Sequence, residues 1–202
     1  MKTEKIIGNI LSNIKKEQNS FKSENFFKPI KQTTISGKSV QVFNNNPIPK
    51  RSVIKKVYDK IPDDKNIPLQ FMTRKQYLTK YIKNQEKKNN IDFSKAQEQA
   101  FVKNRMPVYN NIIGRYTTKK NDYYPAAVVV FNDKDNFKNI KGKNFNKFAL
   151  HEYGHELVEK QGMKMSLQNE ETFADNIVKY GKSKKIFSDK QAINYATKKI
   201  KI

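Results

Sequence analysis

The chain's two histidines, His151 and His155, are four residues apart, and Glu152 follows the first. Together they form the H-E-x-x-H run His151-Glu152-Tyr153-Gly154-His155. On a helix, positions i and i+4 share one face, so both imidazoles can reach a single zinc ion. The glutamate next to the first ligand projects beside the metal, where it can take a proton from zinc-bound water. With histidine and glutamate this infrequent, a chance occurrence has odds of about one in a thousand. The alternative is two surface histidines at helical spacing, with Glu152 an ordinary exposed residue.

Zinc at a catalytic site takes three protein ligands and leaves one position open. No histidine remains and there is no cysteine, so the third donor must be an oxygen. The candidates are Glu156, Glu159, Glu170, Glu171 and Asp175. Glu156, one residue from His155, is turned off the metal face, and Glu159 lies another turn away. That leaves the run Glu170-Glu171-Thr172-Phe173-Ala174-Asp175, which follows a break at Gly162 and can return as a facing helix. Glu170 and Glu171 also suit a helix N-terminus, where each carboxylate contributes ~0.3–1 kcal/mol against the dipole.

H-E-x-G-H followed by E-x-x-A-D resembles the gluzincin branch of the zincin metallopeptidases, over roughly residues 145–178. Gly154 at the fourth motif position is similar to the minimal gluzincins and to peptidases that cleave phage repressors. The resemblance implies that Glu171 is the third zinc ligand and that Asp175 orients a ligand histidine. It implies that Ala174 is small so that the two helices can approach closely. It further implies a zinc-dependent endopeptidase in which Glu152 assists attack by zinc-bound water and then protonates the leaving amine. The oxyanion would need a tyrosine or a backbone N–H, and Tyr116, Tyr123, Tyr124, Tyr153 and Tyr180 are the tyrosines at hand. Substrate would add as a strand to an open sheet edge. Asn111–Thr117 suits that edge better than the more apolar Tyr124–Phe131. Nothing in residues 1–105 resembles a known family.

The elements that must position these residues follow from local pattern. Phe145, Phe148, Ala149, Leu157 and Val158 give the motif an apolar setting in a helix over about 144–160 that ends near Gly162. Asn169 would cap a helix over Glu170–Tyr180 closed by Gly181, and Ser188 a final one over Asp189–Lys198. Two strands, Asn111–Thr117 and Tyr124–Phe131, flank the polar turn at 119–122. Further upstream, Thr73 caps a helix over Arg74–Lys87, and Ser94 with Gln97 forms a capping box for one reaching Asn104. Val53–Lys60 reads as a short helix, and Lys5–Lys16 as an amphipathic one. Thr33–Ile35 and Val40–Phe43 would pair across Ser36-Gly37-Lys38 as a hairpin. The Asn/Pro-rich run at 44–49 is linker material. These signals predict an α+β fold. A zincin-like small sheet packs on the site helix, a second helix bears ligands, and a mostly helical basic N-terminal portion precedes them. Residues 1–49 would be an extension or arm and 50–202 the metallopeptidase domain, with its site core at 106–181.

The 202 residues carry 41 Lys and Arg against 19 Asp and Glu, a net charge of +22. Residues 1–120 hold 26 basic and 9 acidic side chains, so the excess is concentrated upstream of the motif. Only Arg51, Arg74, Arg105 and Arg115 are arginine. Base reading and bidentate phosphate clamps favour the arginine fork, so a lysine excess argues for generic electrostatics. Abundant Lys, Asn, Ile, Tyr and Phe also match the codon usage of an AT-rich genome. The charge nevertheless supports a second function: a basic binding or assembly protein for nucleic acid, an acidic protein or a virion, retaining the fold without catalysis. The absence of cysteine excludes disulfides, thiolate zinc clusters and cysteine nucleophiles. No apolar run reaches membrane-span length and no signal-peptide pattern opens the chain, so a cytoplasmic or virion-associated location is expected.

Overall fold

A computed structural model of the chain describes residues 28–62, 67–118, 126–186, 188–198 and 200. The expected helix at Lys5–Lys16 and the turn at 119–122 lie outside these residues. The first described elements are β1 (Lys31–Ile35) and β2 (Lys38–Val42), paired antiparallel. Ser36 and Gly37 both have positive φ, which matches the right-handed twist that two-residue hairpin turns need. Lys38 therefore belongs to the strand rather than to the turn.

Helix α1 (Arg51–Tyr58) carries the chain to β3 (Leu69–Met72), which lies parallel to β2. Helices α2 (Arg74–Asn89) and α3 (Lys95–Arg105) follow; the capping box anticipated at Ser94 forms, and the cap anticipated at Thr73 is also a full box with Gln76. A 3₁₀ turn at Met106–Tyr109 leads into β4 (Gly114–Thr117), which pairs antiparallel with β5 (Ala127–Phe131). Strand β5 lies parallel to β3, giving a sheet of order β1-β2-β3-β5-β4. Three helices complete the described chain: α4 (Gly142–Lys160), α5 (Leu167–Ser183) and α6 (Asp189–Thr197).

The sheet has helices on both faces. Val40, Val42, Leu69, Phe71, Val128 and Val130 pack against α1 and α4, which carry Ile54, Val57, Phe145 and Phe148. Phe43, Met72, Ala127, Val129 and Phe131 meet Tyr77 and Leu78 of α2 and Val102 of α3. Strand β5 is an unbroken apolar run because both of its faces are covered. Helix α4 is buried on nearly every side, since the sheet, α1 and α5 all surround it.

The mixed α and β architecture agrees with the expected class, but three local expectations need correction. The described residues before 105 hold three helices, as expected, and they also supply β1, β2 and β3. The hairpin does not stand apart as an arm, because β2 pairs in parallel with β3, which follows α1. Helix α5 starts three residues earlier than expected, capped by Ser166, whose Oγ accepts from Asn169 N–H. Gly181 lies within α5 and does not end it. A Cβ there would come within 2.6 Å of the Leu150 side chain, so this glycine serves the α4–α5 contact.

Arg74 locks the entry to β4. Its buried guanidinium donates to the Tyr109 and Asn110 carbonyls at 2.8 and 3.0 Å and pairs with Asp135 at 3.1 Å. The carboxylate of Asp133 accepts the Arg74 backbone N–H at 3.0 Å. One side chain thus ties the start of α2 to the loop after β5 and to the turn before β4.

Candidate metal centre

Two close approaches fix where α4 sits. A Cβ on Gly154 would lie 2.6 Å from Ala174 Cα and 2.9 Å from its Cβ, so α4 and α5 touch almost backbone to backbone. A Cβ on Gly114 would lie 2.1 Å from the Val129 carbonyl oxygen and 2.7 Å from Phe148 Cζ, so β4 also presses on α4. The motif face of α4 is therefore held between α5 and a sheet edge.

His151, His155 and Glu171 converge there, each offering one donor atom within 4.8 Å of the others. The two Nε2 atoms are 3.1 Å apart. Glu171 places Oε2 3.2 Å from His151 Nε2 and Oε1 3.6 Å from His155 Nε2. A tetrahedral ion with ligand distances of ~2.05 Å separates its donors by about 3.3 Å, so the three positions suit zinc.

The opposite ring nitrogens are also engaged. His151 Nδ1 faces Asp175 Oδ1 at 3.2 Å, and His155 Nδ1 faces Glu170 Oε1 at 2.8 Å. A carboxylate accepts only, so each Nδ1 carries a proton, which in the neutral imidazole leaves the lone pair on Nε2. Two lone pairs and a carboxylate then point at one another across about 3 Å, an arrangement that a cation between them would stabilise.

The sequence candidates separate cleanly. Glu171 meets both histidines, and Asp175 stands behind His151. Glu156 faces away, buried 4.0 Å from Lys38 Nζ. Glu159 lines the same cleft as the histidines without joining the triad. Glu170 has a role that spacing did not reveal, as the hydrogen-bond partner of His155. Its only local signal was its position beside Glu171.

Glu152 is buried beside the triad, and its Oε2 accepts the backbone N–H of Tyr116 in β4. Burial pushes its carboxyl from 4.5 up to about 7; nearby His155, the Tyr116 N–H and Arg115 oppose the shift. Strand β4 is the sheet edge. Phe131 N–H donates to the Ile113 carbonyl, so the alternation of an antiparallel ladder turns the backbone groups of Gly114 and Tyr116 away from β5. A cleft of ≈ 740 Å³ runs along this edge between Ile112 and Leu167, over the triad and Glu152. Tyr116 lines it, whereas Tyr153 is buried with its hydroxyl on Asp189 and Tyr180 is buried against Tyr195. Tyr123 and Tyr124 lie outside the described residues.

Comparison with protein-family models, with curated proteins and with solved structures found no match. No described helix is long and apolar enough to cross a membrane.

Proposed function

We propose that this chain is a zinc-dependent endopeptidase of gluzincin type, with a zincin-like domain. The observation that carries the reading is the convergence of His151 Nε2, His155 Nε2 and the Glu171 carboxylate beside a buried glutamate at an open sheet edge. His151, His155 and Glu171 would hold the ion, which when bound supplies Lewis-acid polarisation of a carbonyl and acidification of water. Asp175 and Glu170 hold the two rings in orientation through Nδ1.

Glu152 is the general base and acid. A carboxyl pushed up to about 7 can take a proton from the attacking water at neutral pH and still return it to the departing amine. The Tyr116 N–H holds that carboxylate in place. An extended peptide would lie along β4, pairing with the outward backbone groups of Gly114, and Tyr116, the described tyrosine that lines the cleft, would offer its phenol to the oxyanion.

The test begins with metal content. Protein dialysed against a weak chelator is expected to retain about one zinc per chain, and His155→Ala to retain none. Cleavage mapped on a peptide library should then vanish in Glu152→Gln while zinc remains bound. Cleavage that persists in Glu152→Gln sinks the assignment of the base, and metal-free wild type sinks the centre.

A further inference from the structure

The ground on either side of the triad differs in charge. The cleft running from Tyr116 toward Leu167 is lined by Glu159 and Glu170 as well as Glu152 and Glu171, and its basic residue is Arg115. In the other direction a hollow of ≈ 610 Å³ opens from His151, Glu152 and Asp175 onto Lys147, Lys179 and Lys182. Lys147 and Lys182 also line a further cavity of ≈ 370 Å³, together with Lys56, Lys60 and Lys143. The two hollows therefore meet along Lys147 and Lys182, and six lysines follow one path away from the centre.

Most of this charge is uncompensated. Lys60 donates to the Gly181 carbonyl at 3.0 Å and Lys179 meets Asn176 at 3.4 Å. Among the described residues no carboxylate lies within ion-pair distance of Lys56, Lys143, Lys147 or Lys182. By contrast Lys55, Lys83 and Lys160 each face an acidic partner. The cavity lined by Lys56 and Lys143 has no acidic lining residue at all. It also takes in the first turns of α4, which has no acidic residue in its first turn to offset the positive end of the helix.

We propose that this lysine track is a specificity subsite of the same centre, selecting peptides with a run of acidic residues on one flank of the scissile bond. The inference rests on the peptidase reading given above. An acidic peptide fits better than a nucleic acid strand. The cations are all lysine, which lacks the planar fork that nucleic-acid recognition favours, and no aromatic residue lines the smaller cavity, where Lys56, Lys60 and Lys143 gather, to stack a base. The acidic lining on the opposite side of the triad disfavours acidic residues there, which makes the preference one-sided.

The test is binding without turnover, using the full chain as Glu152→Gln with zinc and a fluorescein-labelled hexaglutamate peptide. Substituting Lys56, Lys143 and Lys182 together by Gln is expected to weaken binding about tenfold at low salt, with the difference shrinking as ionic strength rises. Lys103→Gln with Arg105→Gln, on α3 across the sheet, should leave it unchanged. Equal losses in both variants would mean whole-molecule charge and overturn the subsite, as would no binding. A single-stranded 12-mer DNA that binds more tightly and depends on the same lysines would also overturn it. A groove that binds hexaglutamate in a protein that cleaves no peptide would sink the peptidase reading while leaving the acidic-peptide site standing.

Discussion

Gly154→Ala separates the fold from the centre. The new methyl would lie 2.6 Å from Ala174 Cα, against the ~3.6–4.0 Å at which carbon atoms rest, so α4 and α5 must part by about 1 Å. Overpacking of this kind costs about 1–3 kcal/mol, and the better helix propensity of Ala returns about 1 kcal/mol. The metal-free variant should therefore stay folded, with Tm lower by no more than about 8 °C for a domain of this size. The centre is less tolerant. Glu171 is three residues from Ala174 on α5, His155 follows Gly154 on α4, and ligand distances tolerate only ~0.2 Å. We expect zinc affinity to fall about 100-fold. At a free zinc concentration of 100 wild-type Kd, the ion stabilises wild type by about 2.7 kcal/mol but the variant by only about 0.4 kcal/mol. Differential scanning fluorimetry with and without zinc reads that difference as a Tm increment of roughly 5–10 °C against about 1 °C. Adding Ala174→Gly should not rescue the variant, because the nearest atom is backbone. Wild-type zinc increments in Gly154→Ala would refute the argument that this contact sets the distance from Glu171 to the histidines.

Other changes test separate parts of the design. Zinc-free Glu152→Gln should be more stable than wild type at pH 8 and nearly equal to it near pH 4.5. The wild-type carboxyl rises from 4.5 to about 7 on folding, so its stability is intact below the unfolded value and lost as pH climbs through the folded one. The gap approaches about 3 kcal/mol in urea titrations in the presence of EDTA, and a gap independent of pH would show that burial does not shift this group. Glu170→Ala should weaken zinc binding ~10–100-fold with little change in metal-free Tm, and Glu170→Gln should recover part of it. Competition with a chromogenic chelator measures both, and unchanged affinity would mean that the 2.8 Å contact with His155 does not orient the ring. Arg74→Met should cost about 2–4 kcal/mol, because the Tyr109 and Asn110 carbonyls lose the buried guanidinium that donates to them. A loss below about 1 kcal/mol in chemical denaturation would show that the network is not what anchors β4.

Much of the local structure was legible. Thr73 and Ser94 announce their helices because a cap needs only a few consecutive residues; both caps form as read, and Thr73 adds a box with Gln76. The turn read at Ser36-Gly37-Lys38 was visible through Gly37, whose positive φ favours glycine, although Lys38 belongs to the strand. Strand β3 was not. Leu69–Met72 is only four residues long and buried on both faces, so it shows no alternation to distinguish it from a loop with apolar residues. Missing it made the hairpin look detached, since β3 is the strand that joins β2 to β5.

The spacing of His151 and His155 by itself determined that two imidazoles share a helix face, because that follows from 3.6 residues per turn. It also placed Glu152 beside them and turned Glu156 away. Which carboxylate completes the triad depended on how α5 crosses α4, and that crossing is set by Gly154 against Ala174, twenty residues apart in the chain. The partners behind each imidazole, the Tyr116 N–H on Glu152 and the gathering of six lysines along one path were likewise decided only by tertiary structure. Each joins residues whose separation along the chain exceeds any local periodicity, so only the packed sheet and helices bring them together.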